Sequence, residues 1–327
     1  MSKKYIYTVA FCVGALVLLA LTVTLCVGNN ADVKKPPVEN TLKLADDAYC
    51  LLVTGTDRVS ALTDVIMLVS FDPKEQRICV LQIPRDTYAK YNDGGYRKIN
   101  GAQKALGTDG LCRFFEQALG VDIDGYISLD LAAFRKTVDL LGGVEIELER
   151  PLNYSDSSQG LKIELESGRQ VLNGEQAEML VRYRSGYLRG DLDRLDVQKK
   201  FLSALFDTLK SKVSAANAYG LLTQISDEVD TNINIALGAA LGLEALTLDK
   251  SRLLFCTLPG EDAISAKSGG SFYIFSKSGV RDLLSQYFDA EIAERADEVF
   301  MSRENEEFCK IYKNHIDARV FSADEYE

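Results

Sequence analysis

Short apolar runs separated by turn residues dominate the chain after residue 45. Cys50 to Thr54, Val65 to Phe71 and Ile78 to Ile83 are apolar at successive positions, and Asp72-Pro73-Lys74 closes the second run. Runs apolar on both faces predict central strands covered from both sides. Gly101 to Leu119 then carries apolar residues at helical spacing and stops at Gly120. Ile123 to Leu129 predicts a strand, Leu131 to Leu141 a helix closed by Gly142-Gly143, and Val144 to Leu148 a further strand. Tyr154 to Gly160 reads as a polar loop, Asn173-Gly174-Glu175-Gln176 as a helix start, and Met179 to Arg184 as extended chain. Asp193 to Leu209 is an amphipathic helix with Leu195, Phe201, Leu202, Leu205 and Phe206 on its apolar side. Ala216 to Ile225 and Ile235 to Leu246 predict two more helices, Leu253 to Leu258 a strand ending at Pro259-Gly260, and Ser278 to Phe288 a last helix. Strands mixed with covering helices give an α/β fold: a layered α/β/α domain around a central mixed sheet.

Patterning also divides the chain. Tyr5 to Val27 is a nearly unbroken apolar run behind Lys3 and Lys4, long enough for one transmembrane helix. The lysines place the N-terminus inside and the remainder outside the membrane. No small-residue cleavage pattern follows, so the expectation is an uncleaved anchor over residues 1–28. Residues 29–45, with Pro36-Pro37 and no periodicity, predict an extracytoplasmic linker. Residues 46–289 form the expected catalytic domain. Residues 290–327, acidic and poor in turn signals, predict an extra helix or a loosely ordered extension.

Charge and composition then narrow the chemistry. A formal net charge of −11 over 327 residues argues against nucleic acid as a partner, because phosphate-backbone affinity needs clustered surplus cations. The single histidine, His315, lies in a charged stretch, which sets aside Ser-His-Asp, Cys-His and histidine-rich zinc chemistry. Of seven cysteines, Cys12 and Cys26 fall in the apolar run, leaving an odd five with no C-x-x-C spacing. Buried free thiols, not a disulfide framework, are expected. Walker A, G-x-G-x-x-G, G-x-S-x-G and H-E-x-x-H patterns are all missing.

Four polar stretches remain that packing would not select. Asp57 follows one predicted strand and Asp64 introduces the next, so both carboxylates fall at one edge of a sheet. Such a pair suits a hard cation, Mg²⁺, which takes one or two carboxylates beside phosphate oxygens; ordinary turn residues are the alternative. Arg85, in Pro84-Arg85-Asp86 at a strand exit, can recognise phosphate or form a surface ion pair. Lys98-Ile99-Asn100 means little alone. Arg182 and Arg184, if extended, project from one face at period two, an arrangement that favours an anion between them; two solvated arginines at a strand end are the alternative. Arg189, Asp191, Arg194 and Gln198 follow closely.

In this order the stretches resemble the LytR-CpsA-Psr family of cell-wall glycopolymer ligases. The resemblance rests on Leu52 to Asp57, Thr63 to Leu68, Ile83 to Tyr88, Lys98 to Asn100, Leu141 to Glu145, Leu172 to Ala177, Val181 to Arg184, and Gly190-Asp191 through Arg194 to Gln198. A weaker stretch including Thr257 to Gly260 carries it on to about Phe288. The resemblance implies a fold that holds a polyprenyl-pyrophosphate-linked glycopolymer, its lipid tail in an apolar channel. It implies transfer of a phospho-glycopolymer to a muramic-acid hydroxyl of peptidoglycan, at the outer face of the cell membrane. It further implies that Asp57 and Asp64 hold Mg²⁺ and that Arg85, Lys98, Arg182, Arg184 and Gln198 grip the pyrophosphate. Arg85, Arg182 and Arg184 would also stabilise charge during transfer, and Asp191 is the candidate base.

Two positions depart from the family pattern. Leu62 stands where an arginine is common, and Arg58 is placed to reach across and substitute for it. Val197 replaces a common basic residue. The competing functions are a Mg²⁺-dependent polyprenyl-pyrophosphate hydrolase and a non-catalytic envelope module.

Overall fold

A computed structural model describes residues 48–56, 62–156, 161–183, 191–213, 224, 229–233, 241–242, 244–265, 269–302, 309–316 and 318–326. The strands are β1 (Tyr49–Thr56), β2 (Thr63–Asp72), β3 (Arg77–Gln82), β4 (Tyr88–Ala89), β5 (Arg97–Lys98), β6 (Gly125–Asp130), β7 (Val144–Leu148) and β8 (Leu152–Asp156). They continue as β9 (Leu161–Leu165), β10 (Gly168–Leu172), β11 (Val229–Thr231), β12 (Leu253–Thr257), β13 (Gly260–Ser265), β14 (Ser271–Phe275), β15 (Cys309–Ile316) and β16 (Val320–Ser322). The labelled helices are α1 (Ala102–Leu106), α2 (Thr108–Leu119), α3 (Leu131–Leu140), α4 (Gly174–Arg182), α5 (Asp191–Lys212), α6 (Lys277–Tyr287) and α7 (Ala296–Val299).

The central sheet has seven strands in the order β11-β6-β1-β2-β3-β12-β16. It is mixed: β1–β6 and β3–β12 pair parallel, and the other neighbours antiparallel. Side-chain alternation sorts the continuous apolar runs into two cores. Leu51, Val53, Val65, Met67, Val69, Ile78 and Val80 pack with Phe134 of α3, Leu180 of α4, and Phe201, Leu202 and Phe206 of α5. Leu52, Ile66, Leu68, Cys79 and Leu81 face the opposite way, onto Leu111 and Phe115 of α2 and Leu283 and Leu284 of α6. Both faces are therefore dry, which is why these strands carry no polar alternation.

Several elements differ from the sequence reading. The helix over Gly101 to Leu119 is broken at Gly107, whose φ of 74° lies in the left-handed region and separates α1 from α2. The loop expected from Tyr154 is a strand end, since β8 and β9 pair antiparallel from Leu152↔Leu165 to Asp156↔Leu161. Met179 to Arg182 is helical, not extended: Asn173 and Gln176 close a reciprocal capping box that starts α4, and Tyr183 ends it. The stretch after residue 290 is built into the fold. It supplies edge strand β16 beside β12, and β15 beside β13. The proposed transmembrane run and linker lie outside the described residues, as does nearly all of Ala216 to Ile225. Among the described residues, no helix is long and apolar enough to cross a membrane.

Candidate functional site

The carboxyl ends of the mutually parallel strands β1, β6, β3 and β12 meet the start of antiparallel β2 along one edge of the sheet. There the β1–β2 register slips: Gly55 faces Val65 but Thr56 faces Thr63, leaving Asp64 as the extra residue of a bulge. A bulge re-aims its side chain, and Asp64 meets Arg85 on the segment leaving β3. Arg85 Nη1 donates to Asp64 Oδ1 at 2.9 Å, and both side chains are buried.

Two neighbours extend this pair into a string of alternating charge. Asp86 Oδ1 lies 3.8 Å from Arg85 Nε, and Asp86 Oδ2 lies 2.8 Å from Lys98 Nζ on β5. The backbone fixes that geometry: Ile99 N donates to Thr87 O, and Asn100 N to Arg85 O. Buried Tyr273 buttresses the loop from below, its N–H on Asp86 O and its phenol donating to Leu258 O at 2.6 Å. Burial first, then the charges of Asp262 and Glu261, pushes that phenol well above its ordinary range, so it stays a donor.

Helix α5 brings Gln198 to the same corner. Its Oε1 accepts from Gln82 Nε2 at 3.4 Å, and Gln82 ends β3 three residues before Arg85. Arg194, one turn earlier on α5, is wholly buried. Arg182 stands at the end of α4, where its Nη1 donates to Glu178 Oε1 at 2.6 Å. Because α4 is helical there, the two-arginine strand face inferred for Arg182 and Arg184 does not form. Arg184, Asp57 and Arg58 lie outside the described residues. Asp191 begins α5, with its side chain outside the described part.

The structure thus joins Asp64, Arg85, Asp86 and Lys98 in one string, and sets Gln198 against Gln82 at the end of β3. Asp86, Arg194 and Glu178 received no role from the sequence. Asp86 could have been found from its place next to Arg85, and Arg194 from its four-residue spacing to Gln198 on one helix face. Glu178 had no such signal, because extended chain had been expected beside it. As a donor set, a buried carboxylate at a strand end fits Mg²⁺, which commonly takes one or two protein carboxylates and completes its shell with ligand oxygens and water. Among the described residues, no group of three or more His, Cys, Asp or Glu forms a ready-made cage.

Fold and site together define an α/β protein whose strand ends present arginine, lysine and amide groups suited to a phosphorylated ligand. The chain belongs to the LytR_cpsA_psr family, which matches residues 21–288. It is 33% identical over 185 residues to the polyisoprenyl-teichoic acid–peptidoglycan teichoic acid transferase TagV of Bacillus subtilis, a stretch covering 55% of this chain and 47% of that protein. The chain thus spans about half the length of the first curated relatives it matches. The crystal structure of B. subtilis TagV superposes with a TM-score of 0.66 at 26% identity, over 76% of this chain and 99% of that one. TagT bound to LIIa-WTA superposes with a TM-score of 0.62 at 25% identity, over 77% of this chain and 94% of that one.

Proposed function

We propose that this chain transfers a phospho-glycopolymer from a polyprenyl-pyrophosphate carrier to a hydroxyl of peptidoglycan during cell-wall assembly. The observation that carries the reading is the buried Asp64–Arg85 pair, continued through Asp86 to Lys98 at the carboxyl edge of the sheet. Burying these charges is costly unless they serve a ligand or a network, and the relatives named above are teichoic acid transferases. In the transfer, an acceptor oxygen attacks the phosphorus nearer the glycopolymer, the bridging P–O bond breaks, and prenyl phosphate leaves with the electron pair. Arg85 and Lys98 would hold the pyrophosphate oxygens, and Arg182, Arg184 and Gln198 would join them; such groups act by positioning and by stabilising charge. Arg58 would supply the cation that Leu62 does not.

Mg²⁺, held by Asp64 and Asp57, would neutralise charge on the phosphates when bound. Asp191, at the start of α5, is proposed as the group that takes the acceptor's proton. The run Tyr5 to Val27 is proposed as a single transmembrane anchor that leaves the catalytic domain on the extracytoplasmic side. The test is release of prenyl phosphate from a polyprenyl-pyrophosphate glycolipid by the full chain in detergent. It is run with Mg²⁺ or with EDTA, with and without peptidoglycan oligomers, and beside Arg85→Ala. Metal-dependent turnover that needs the oligomers, joins product to glycan and falls at least about 100-fold in Arg85→Ala is expected. Turnover indifferent to the oligomers would replace the transferase with a hydrolase, and lipid binding without turnover would leave a binding module.

A further inference from the structure

Side-chain alternation along β2, carried back from Val65 without interruption, would bury Thr63 in an apolar core. Val65, Met67 and Val69 face α3, α4 and α5, while Ile66 and Leu68 face the opposite way. Strict alternation would send Thr63 to the same side as Val65. The bulge prevents this: with Asp64 as the extra residue, Thr63 pairs with Thr56 and crosses to the other face. On that face Ala102 of α1 and Leu111 of α2 line the core. There the hydroxyl of wholly buried Thr63 donates to Gln103 Oε1 of α1 at 3.0 Å. In the unbulged register it would lie among apolar side chains, and a buried hydroxyl without a partner is costly.

We infer that Gln103 is the positioning residue that holds the Thr63–Asp64 bulge in register and so keeps Asp64 on Arg85. This rests on the reading of Asp64 as a metal-holding residue of the site. Gln103 is itself fixed from other elements. Its Nε2 donates to Ser128 Oγ of β6 at 2.9 Å and, across the break at Gly107, to Thr108 Oγ1 of α2 at 3.1 Å. Both amide hydrogens are therefore committed, and the oxygen is left to face Thr63. The same short segment also carries the other half of the pair. Asn100 N, just ahead of α1, donates to Arg85 O at 3.1 Å. Residues 100–103 thus hold Asp64 by way of Thr63 and Arg85 by way of its carbonyl. A ligand carboxylate fixed in this manner needs no rearrangement when its cation arrives, which is what outer partners of a metal ligand supply.

Two measurements on the full chain in detergent test this. The first is a double-mutant cycle read from urea midpoints. In a Gln103→Met background, Asp64→Ala is expected to lower the midpoint by no more than about half as much as in the parent, because the pair is already loosened. Additive shifts would overturn the proposal. The second is the Mg²⁺ concentration that gives half-maximal turnover of the polyprenyl-pyrophosphate glycolipid. Gln103→Met and Thr63→Val each remove the hydrogen bond and keep the side chain's size. Both are expected to raise that concentration about tenfold or more, with glycolipid KM within about threefold of the parent. Thr63→Ser, which keeps the hydroxyl, is expected to stay within about threefold on both. An unchanged Mg²⁺ requirement in Gln103→Met and Thr63→Val would also overturn the proposal. Should Gln103→Met not fold, Thr63→Val takes its place in both measurements. Turnover that ignores Mg²⁺ would remove the metal, and the midpoint cycle alone then decides. Asp64→Asn separates the two readings: full turnover there removes Asp64 from the site. Loss of turnover there beside additive midpoints removes only Gln103.

Discussion

Asp64 and Arg85 show how much a single residue's environment decides. In the sequence each had an ordinary alternative, a turn former or a surface ion pair. In the fold both side chains are buried and joined at 2.9 Å. Stripping one partner from a buried pair typically costs several kcal/mol, and Asp86 remains near Arg85. Asp64→Ala is therefore expected to lower unfolding free energy by about 3 kcal/mol, read from urea midpoints, besides abolishing turnover. A second prediction concerns Cys50, buried at the start of β1 with its N–H on Asp124 Oδ2 at 2.8 Å. Burial first, and then the charge of Asp124, pushes its thiol well above the ordinary value of 9.0. Below that value the thiol is protonated in both states and makes no pH-dependent contribution. Above it the unfolded chain releases the proton while the folded chain keeps it, so stability falls as pH rises. Urea midpoints between pH 8 and pH 10 are expected to fall less steeply in Cys50→Ala than in the parent chain. Among the described residues, Cys50, Cys79, Cys112 and Cys256 are buried free thiols, in line with the odd count and spacing; the side chain of Cys309 lies outside them.

At the scale of elements, helix α4 marks where local reading and tertiary structure part. Val181-Arg182-Tyr183-Arg184 alternates apolar and basic residues, which reads as a strand to anyone counting by two. The capping box at Asn173 instead commits the segment from its start, and burial of Ala177, Leu180 and Val181 completes one helical face. Asn173→Ala is expected to cost about 1 kcal/mol through loss of that cap. Gly174→Ala is expected to cost more, because its Cβ would meet the α3 backbone at Arg135 O and a backbone atom cannot swing aside. Urea titrations of both variants give the order; equal losses would mean that α3 yields easily. Hairpin β8–β9 is hard to read from the sequence for a related reason. Its buried positions, Leu152, Ile163 and Leu165, alternate with polar ones on the open face, and the turn-forming residues between its strands give the segment the composition of a loop.

Across the whole molecule, the part of the chain read as an appendage closes the sheet. Phe321 pairs with Phe255 in register, and Tyr326 meets both rings edge-on, at 5.8 Å from Phe255 and 6.0 Å from Phe321. Ser203 Oγ on α5 donates to Ala323 O inside the protein. Removing residues 320–327 exposes the edge of β12 and leaves that buried hydroxyl without its acceptor. The expected cost is about 2 kcal/mol or more, a fall of about 4 °C or more in Tm by calorimetry. An unchanged Tm would return the segment to the status of a tail.

The sequence by itself determined the five inner strands of the central sheet, β6, β1, β2, β3 and β12, because strands dry on both faces must be apolar at nearly every position; the edge strands β11 and β16 carry no such run. It also placed most of the described helices, and it determined the order of the polar stretches, which was enough to reach the family. Only the tertiary structure decided which polar residues meet. The bulge that turns Asp64 toward Arg85, the carboxylate of Asp86 shared with Lys98, and the Thr63–Gln103 hydrogen bond all join residues from different elements. Spacing along the chain governs only what lies within an element. The meeting of elements is governed by how their buried faces pack, and that is where the candidate site was made.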